Sequence, residues 1–354
     1  MSLLFSYSAN NIETAQLPGG YANITGIPTV GFGDGPQGIN TIHCPSGAAN
    51  LVWLPNISIA GSNGLVVGAG FNVTSFGSGT QTLITIGESS AGLDALVVQV
   101  NSDGSMTCKI TEGTNPITSP SGTFTFGNRH EVEILTTEFN SSGVVTVYLD
   151  GVAIPALTSI QPRNISGAIL ALTDGSSIHS VGCGGVLGQA NATLVVVDST
   201  YAMDTTGAYC NAPVGPAISV PMFPNGVGQE SAWTPVGATP GWNCIHEVPP
   251  DGDTTYISSS TVNQEEACTL SAASGISDVY GVCVISDQRQ DTPGGGRTVE
   301  LGIGNGTTRS YGTAWGLGTT YVMNTTPFSS NPFTSSPWAL ADLSTLQIAC
   351  KLAS

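Results

Sequence analysis

Apolar and polar residues alternate along much of the chain with a period of two, which is the pattern of strands that bury one face. Between residues 50 and 151 such runs follow one another, separated by short stretches rich in Gly, Asn, Asp and Ser. The separators at 102–104 (SDG) and 140–143 (NSSG) supply residues that adopt positive φ at little steric cost. The pattern therefore predicts a meander of antiparallel hairpins, hence a β-sandwich. The runs are NLVWLPNISI, GLVVGAGFNVTSF, TQTLITIG, DALVVQVN, SMTCKITEG, HEVEILTTEF and VVTVYLDGV.

The rest of the chain continues the all-β pattern with one interruption. Strand-like runs occur at 167–172 (GAILAL) and 192–201 (ATLVVVDSTY), and a Gly-, Pro- and Ala-rich stretch follows at 205–217. Linkers favour such residues, so we expect a domain boundary near Gly215. The sequence thus predicts two β-sandwiches, spanning residues 1–215 and 216–354. The clearest strands of the second are DVYGVCVIS, RTVELGIG, TYVMNTT and QIACKLA.

One helix is predicted, over residues 337–346 near the C-terminus. Ser336 is a suitable N-cap and Pro337 suits the first helical position. Apolar residues then recur at near-helical spacing through the sequence WALADLSTL. The fold class is therefore all-β with one short helix.

Charge composition excludes some classes of partner. Only 9% of the residues are charged, and 7 Lys and Arg against 24 Asp and Glu give a formal net charge of −17. A phosphate backbone or an anionic membrane surface would repel such a chain, so we expect no nucleic-acid partner. The N-terminus lacks the basic region of a signal peptide, and no apolar run approaches the roughly 18–20 residues that span a bilayer. We therefore expect no membrane insertion.

The eight cysteines do not form a metal-binding pattern. No two of them make a C-x-x-C pair, and the four histidines are scattered along the sequence. Buried free thiols in strands are the favoured interpretation, because cysteine packs as a small apolar residue. Disulfides are the alternative, and we expect any pairing to stay within one half of the chain. The cysteines are Cys44, Cys108, Cys183, Cys210, Cys244, Cys268, Cys283 and Cys350.

Other short motifs favour turns and loops over ligand sites. Asp251 and Asp253 have the spacing that opens a calcium loop, but the downstream Gly and Glu of an EF-hand are missing. We therefore predict a turn there. The glycines at 31, 33 and 35 and the run at 294–296 lack the Lys-Ser/Thr of a phosphate-binding loop, so both are predicted to be loops.

No catalytic constellation is evident either. The sequence contains no G-x-S-x-G elbow, and none of the histidines has a local partner that singles it out. His43 and Cys44 are adjacent, but neighbouring residues of a strand point to opposite faces. A pair of glycosidase carboxylates stays open, because two acids need only converge in space. We expect no enzyme activity and assign no catalytic, cofactor-binding or metal-binding residue; no cofactor is expected.

The sequence at 130–152, HEVEILTTEFNSSGVVTVYLDGV, resembles the strand pair of laminin-G and concanavalin-like lectin sandwiches, which ends in a Tyr-x-Asp-Gly turn. The resemblance implies a lectin-like sandwich in the first half. It does not imply sugar binding, since a fold does not determine a function.

Segments of the second half are similar to structural proteins of tailed phages and prophages. The resemblance implies a lectin-like sandwich fused to a jelly-roll-like sandwich in a tail or fibre protein. The chain departs from those sequences in having only Arg289 and Arg297 around the Gly-rich turn, and in its high cysteine content. The segments are residues 195–237, 248–267, 278–303 and 326–353.

These observations predict a non-catalytic structural or adhesive component of a tailed-phage virion, assembled in the host bacterial cytoplasm. We expect a homo-oligomer, with a trimer preferred, that contacts other virion proteins. The alternatives are a head decoration or collar protein, or a module that binds a host surface glycan. An exposed aromatic cluster with convergent polar groups would favour the glycan-binding module, although Trp in a sandwich usually lies in the core. The candidates are Trp233, Trp242, Trp315 and Tyr321.

Overall fold

The computed structural model of the chain divides into two compact units. Unit 1 comprises Met1–Ala9 and Tyr21–Ser219, and unit 2 comprises Asn10–Gly20 and Val220–Ser354. The sequence placed the boundary near Gly215, within the last residues of unit 1. The structure describes residues 63–88, 93–109, 116–138, 142–160, 195–247 and 251–354, with the short strands at 3–7, 24–25, 29–31, 41–44, 51–53 and 180–183. The strand predicted at 167–172 lies outside the described residues.

Unit 1 contains two antiparallel sheets, as the alternating pattern predicts. One sheet has the strand order β13-β12-β11-β6-β15-β4-β3, with β1 paired to β15, and the other has the order β10-β9-β8-β7-β14-β5-β2. The strands are β1 Leu3–Tyr7, β2 Ile24–Thr25, β3 Thr29–Gly31, β4 Thr41–Cys44, β5 Leu51–Trp53, β6 Leu65–Val73, β7 Thr80–Glu88, β8 Leu93–Asn101, β9 Met106–Lys109, β10 Ile117–Thr118, β11 Arg129–Thr136, β12 Val145–Leu149, β13 Val152–Ala153, β14 Ser180–Cys183 and β15 Val195–Asp204.

The alternation of side chains separates the two faces of the first sheet. In the β11–β12 pair Ile134 lies opposite Val147, and both side chains are fully buried. Val145 is also buried, as predicted for this face, whereas Leu149 is half-buried. Thr146 points to the other face yet is nearly buried, because that face is covered too. Apolar residues of the second sheet are buried as well, so the core lies on the apolar faces of both sheets.

The turn after β12 explains why the Tyr-x-Asp-Gly sequence occurs here. Asp150 and Gly151 have φ angles of 51° and 79°, which Asp and Gly tolerate better than most residues. Asp150 Oδ1 accepts a hydrogen bond from the Glu131 backbone N–H at 2.9 Å, and Oδ2 lies 2.7 Å from His130 Nδ1. His130 Nε2 lies 2.7 Å from Thr125 Oγ1. The sequence had assigned no partner to any histidine; here the partners come from turns on both sides of β11.

Unit 2 is also built from antiparallel strands, so the all-β prediction is confirmed for both units. Its main sheet has the order β16-β19-β25-β21-β22, with β23 paired to β21, and β17–β18 and β20–β24 form two-stranded sheets. The strands are β16 Pro224–Ser231, β17 Thr234–Val236, β18 Tyr256–Ser258, β19 Glu265–Leu270, β20 Val282–Gln288, β21 Thr298–Asn305, β22 Thr308–Tyr311, β23 Trp315–Gly316, β24 Val322–Phe328 and β25 Leu346–Leu352.

The predicted helix near the C-terminus is shorter and differently capped than expected. It is a 3₁₀ helix over Leu340–Thr345, and Asp342 Oδ2 accepts a 2.8 Å hydrogen bond from the Ala339 N–H. Trp338 precedes it in the core, where its Nε1–H donates to the Phe328 carbonyl at 2.8 Å. This anchor keeps the preceding residues extended, so the helix begins after them and Ser336 is not its cap. Two further 3₁₀ helices among the described residues span Pro155–Leu157 and Gly241–Cys244.

The core assignment of β12 predicts the effect of a charge at Val147. We expect Val147→Asp to destabilise unit 1 by about 3 kcal/mol or more, because an unpaired carboxylate would be buried. Val152→Asp is the matched control, since Val152 is 70% exposed at the edge of the same sheet. Thermal unfolding measures both variants. Equal melting temperatures for Val147→Asp and the wild type would contradict the assignment.

Candidate functional site

A row of charged side chains lies on the outer face of the first sheet of unit 1. Arg129, Glu131 and Glu133 are two residues apart on β11, so they share one face of the strand. Their partners on β6 are Asn72, Gly70 and Gly68, and two of these have no side chain. The charged side chains of β11 therefore have room beside β6, because Gly70 and Gly68 carry no side chains.

Arg129 makes hydrogen bonds to several neighbours of this row. Its Nε–H donates to both oxygens of Asp198, at 3.1 and 3.0 Å, and its Nη2 donates to Asp198 Oδ1 at 2.6 Å. Nη2 also donates to Glu131 Oε2 at 3.0 Å. A Cβ atom at Gly70 would lie 2.3 Å from Arg129 Nη2 and 2.4 Å from Asp198 Oδ1, so this ion pair requires glycine beneath it.

The same charged residues bind main-chain atoms of residues 205–219, named here the covering segment. Glu133 accepts hydrogen bonds from the N–H groups of Val214 at 2.7 Å and Gly215 at 3.0 Å. Arg129 Nη2 donates to the Ala217 carbonyl at 3.1 Å. The Tyr201 hydroxyl donates a 2.6 Å hydrogen bond to Glu133 Oε1. The Gly-, Pro- and Ala-rich stretch that the sequence indicated as a linker is therefore bound to the face of unit 1.

Burial shifts the pKa of both glutamates upward. Desolvation raises the pKa of Glu131 well above its usual value; Arg129 opposes the shift, while Asp198 and Glu133 add to it. Desolvation also raises the pKa of Glu133, against the hydrogen bonds from Tyr201, Val214 and Gly215. Glu131 is fully buried and its Oε1 has no hydrogen-bond partner. Burial therefore favours the protonated carboxyl of Glu131, and Glu133 binds the main chain of the covering segment.

A second group of polar residues lies at the surface of unit 2. Arg289 donates to Asp253 Oδ1 from Nε at 3.2 Å and from Nη2 at 2.6 Å. The Tyr321 hydroxyl donates to the same oxygen at 2.8 Å. The guanidinium carbon of Arg289 lies 5.2 Å from the centre of the Tyr321 ring, within cation–π range. We call Asp253, Arg289 and Tyr321 the surface triad.

The surface triad is accessible and charged. The Asp253 side chain is 64% exposed, and Arg289 and Tyr321 are half-buried. Hydrogen bonds from Arg289 and Tyr321 lower the pKa of Asp253, so its carboxylate persists into more acidic solution. The Arg289 side chain, the Tyr321 ring and the Asp253 carboxylate together present a donor group, an apolar face and an acceptor on one patch.

The four aromatic residues that the sequence suggested as candidates lie in different environments in the structure. Trp233 packs against the core of unit 2 and its Nε1–H donates to the Gln264 carbonyl at 3.1 Å. Trp242 lies in the 3₁₀ helix Gly241–Cys244, and the centre of its ring is 5.5 Å from that of His246. Trp315 is 39% exposed on the short strand β23. Of the four, Tyr321 is half-buried and is the one that lies beside convergent charged groups, Asp253 and Arg289.

Two of the other motifs form the turn and the loop that were predicted, whereas Gly31 is the last residue of β3, not a loop residue, and Gly33 and Gly35 lie outside the described residues. Asp251 Oδ1 accepts hydrogen bonds from Thr255 N and Oγ1, each at 3.0 Å, which closes a turn around Gly252 at a φ of 66°. Residues 294–296 form a loop in which two glycines have positive φ. His43 and Cys44 lie on β4, where only the backbone is described.

The described cysteines are free thiols, and burial makes several of them weak acids. Burial raises the pKa of the Cys108 thiol to about 12, and burial is also the main cause that raises the pKa of Cys268 to about 12. The side chains of Cys44 and Cys183 lie outside the described residues. The free cysteines are Cys108, Cys210, Cys244, Cys268, Cys283 and Cys350.

Metal-binding clusters and membrane-spanning helices are absent from the described residues. No group of three or more His, Cys, Asp or Glu residues in the described ranges has a geometry that could hold a metal ion. No helix in that part of the chain has the length and apolar character needed to cross a membrane.

Comparison with known proteins shows no family. No family model matches the chain, and no curated protein matches it significantly. Among solved structures, the cellulose-induced protein Cip1 aligns over 60% of this chain and 100% of its own, with 14% identity and a TM-score of 0.43. Trypanosoma rangeli sialidase aligns over 46% of this chain and 27% of its own, with 12% identity and a TM-score of 0.31.

A third solved structure is the alginate lyase AlgAT5 of Polysaccharide Lyase family 7. It aligns over 48% of this chain and 72% of its own, with 12% identity and a TM-score of 0.32. At this level of likeness, no ligand or activity passes from any of these three proteins to this chain.

The raised pKa of Glu131 predicts how stability depends on pH. Below the ordinary glutamate pKa of 4.5 the carboxyl is protonated in both the folded and the unfolded chain. Above it the unfolded chain ionises while the folded one keeps its proton, so the wild type loses stability as pH rises through the folded pKa. Glu131→Gln removes this loss, because Gln is neutral and its Oε1 can accept the Arg129 hydrogen bond.

Urea denaturation at about pH 4 and about pH 8 measures this difference. We expect Glu131→Gln to equal the wild type at the lower pH and to exceed it at the higher pH. Glu230→Gln is the control, since Glu230 is an exposed carboxyl of the same chain. A stability difference between Glu131→Gln and the wild type that is the same at both pH values would contradict the protonated state.

Proposed function

We propose that this protein is a non-catalytic attachment protein whose unit 2 binds a surface glycan through the surface triad. The observation that carries the proposal is the convergence of Tyr321, Arg289 and Asp253 at one exposed patch. An exposed aromatic cluster with convergent polar groups is the feature by which the sequence distinguished a glycan-binding module from a purely structural subunit. The patch supplies the convergent polar groups and one half-buried aromatic ring.

The chemistry of the surface triad suits a sugar. An aromatic ring packs against the apolar face of a pyranose, and the Tyr321 ring is held in place by its hydroxyl bond to Asp253. The guanidinium donates and the carboxylate accepts, so both can bind the hydroxyl groups at the edge of the sugar. Mutual hydrogen bonds fix the three side chains before a ligand arrives, which lowers the entropy cost of binding.

The state of the Asp253 carboxylate favours binding over hydrolysis. Asp253 is already hydrogen-bonded by Arg289 and Tyr321, which lower its pKa and keep it from acting as a general acid near neutral pH. Glu133 lies under the covering segment in unit 1, where it binds the main chain of that segment, and Glu131 is fully buried. The proposed function is therefore recognition without cleavage.

The proposed setting is the virion of a tailed phage, assembled in the bacterial cytoplasm. The resemblance of several segments of the second half to phage structural proteins supports it. A homo-oligomer, with a trimer preferred, would present several copies of the surface triad, and repeated weak contacts would raise the overall affinity for a repetitive polysaccharide. A low content of charged residues suits subunit contacts made by apolar packing.

Binding of bacterial surface polysaccharide to single-site variants tests the proposal. We expect Tyr321→Ala to weaken binding tenfold or more, about 1.4 kcal/mol, because the ring contact and the fixed position of Asp253 are both lost. Arg289→Gln should weaken it as well. Tyr280→Ala is the matched control, since Tyr280 is a tyrosine of unit 2 that is 49% exposed elsewhere on the surface.

Binding is measured by calorimetry and the polysaccharide length by size-exclusion chromatography of the same samples. Equal loss in Tyr280→Ala and Tyr321→Ala would show a non-specific effect and contradict the assigned site. Shortening of the polysaccharide by the wild type would show that the protein is a depolymerase and contradict the non-catalytic proposal.

A further inference from the structure

The surface triad lies at one end of the two-stranded sheet β20–β24. Arg289 and Tyr321 are the first residues beyond the last pair of that ladder, one on each chain segment. Their side chains meet at Asp253 Oδ1. Asp287 is two positions before Arg289, so alternation along the extended chain places both side chains on one face. That face therefore carries a second carboxyl group next to the triad.

The turn that contains Asp253 brings two more carboxylates to the same surface. Asp251 is exposed, and its Oδ1 accepts a 3.0 Å hydrogen bond from the Thr255 N–H. The Thr255 hydroxyl oxygen lies 2.9 Å from Asp251 Oδ2 and 2.8 Å from Glu247 Oε1. The single hydroxyl proton binds one of these carboxylates at a time. The turn thus concentrates negative charge beside Asp253.

The donors of Arg289 are engaged within the triad. Its Nε and Nη2, which form one edge of the guanidinium, both donate to Asp253 Oδ1, at 3.2 and 2.6 Å. That edge is the one that binds both oxygens of a carboxylate, so a ligand carboxylate would have to compete with Asp253 for it. Asp291 is exposed two positions after Arg289. Arg297, further along the loop, donates from Nη1 to the Ser260 carbonyl at 3.3 Å.

We propose that the surface triad selects glycans that carry no acidic group, and that Asp251 and Glu247 disfavour acidic ones. The inference rests on the proposed glycan contact and adds the chemical class of the ligand. Specificity of this kind arises when a site places like charges against the wrong ligand. A neutral sugar needs only the ring contact with Tyr321 and hydrogen bonds to its hydroxyl groups, whereas a uronate would approach several carboxylates. The chain charge of −17 adds repulsion of the same sign at longer range.

Salt dependence distinguishes this repulsion from a simple lack of fit. The carboxylates are at the surface, so dissolved ions screen their effect on a charged ligand. We expect the affinity for an acidic glycan to rise with ionic strength and the affinity for a neutral glycan to stay unchanged.

Calorimetry with the full-length protein at low and high ionic strength tests the proposal. The probes are a uronate-containing bacterial surface polysaccharide, its carboxyl-reduced form, in which each carboxylate is a primary alcohol, and polysaccharides that are neutral by nature. At low ionic strength we expect the reduced form to bind at least tenfold more tightly than its acidic parent. Equal or tighter binding of the acidic parent would overturn the inference and leave glycan binding intact. No binding of any probe would contradict the proposed function itself, and the inference with it.

A double variant tests the two selecting residues. Glu247→Gln with Asp251→Asn removes two charges and keeps an acceptor oxygen for Thr255. We expect its affinity for the acidic polysaccharide to rise at least threefold at low ionic strength, and its affinity for the reduced form to stay within twofold of the wild type.

The matched control removes the same number of charges from other segments of unit 2. It is Glu230→Gln with Asp278→Asn, since both residues are exposed. We expect it to bind both polysaccharides as the wild type does. Equal gains in the two double variants would assign the effect to net charge and overturn the role of the turn.

Discussion

The alternation of side chains along antiparallel strands is the constraint on which the rest of this structure depends. It places Ile134 in the core and Glu133 beside it on the opposite face of β11. In unit 2 the same rule places Arg309 and Tyr311 together above the glycines of β21. Each polar cluster that we describe within a sheet is therefore a consequence of register: a shift of one residue would exchange its charged side chains with core residues.

Some of the few charges of the chain satisfy buried groups in unit 1. Arg129 and Asp198 form an ion pair over Gly70, and Glu133 binds two main-chain N–H groups of the covering segment. A buried charge without such partners would cost several kcal/mol, so these contacts fix the position of residues 214–217 against unit 1. The surface triad differs, because its Asp253 carboxylate is exposed and its hydrogen bonds organise side chains instead of holding a chain segment.

The sequence was sufficient to predict the all-β architecture, because alternation and turn residues such as those near Asp150 are local signals. It misplaced the helix near Leu340, since the anchoring of Trp338 to Phe328 is a tertiary contact that overrides helical spacing. It did not predict the covering segment either. The alternating acids in the sequence RHEVE could have indicated a polar face on β11, but only the fold shows that residues 81 to 88 positions further along the chain bind it. For the same reason Tyr321 was a candidate by residue type alone until Asp253 and Arg289 were found beside it.

Chemical-shift mapping of labelled tyrosine rings would show whether a glycan contacts the surface triad. The protein is labelled with ¹³C in its nine tyrosines and titrated with oligosaccharides from the bacterial surface polysaccharide. We expect the Tyr321 ring signal to move in a saturable way and the Tyr280 signal to stay in place. Saturable binding of the oligosaccharide without any change at Tyr321 would contradict it.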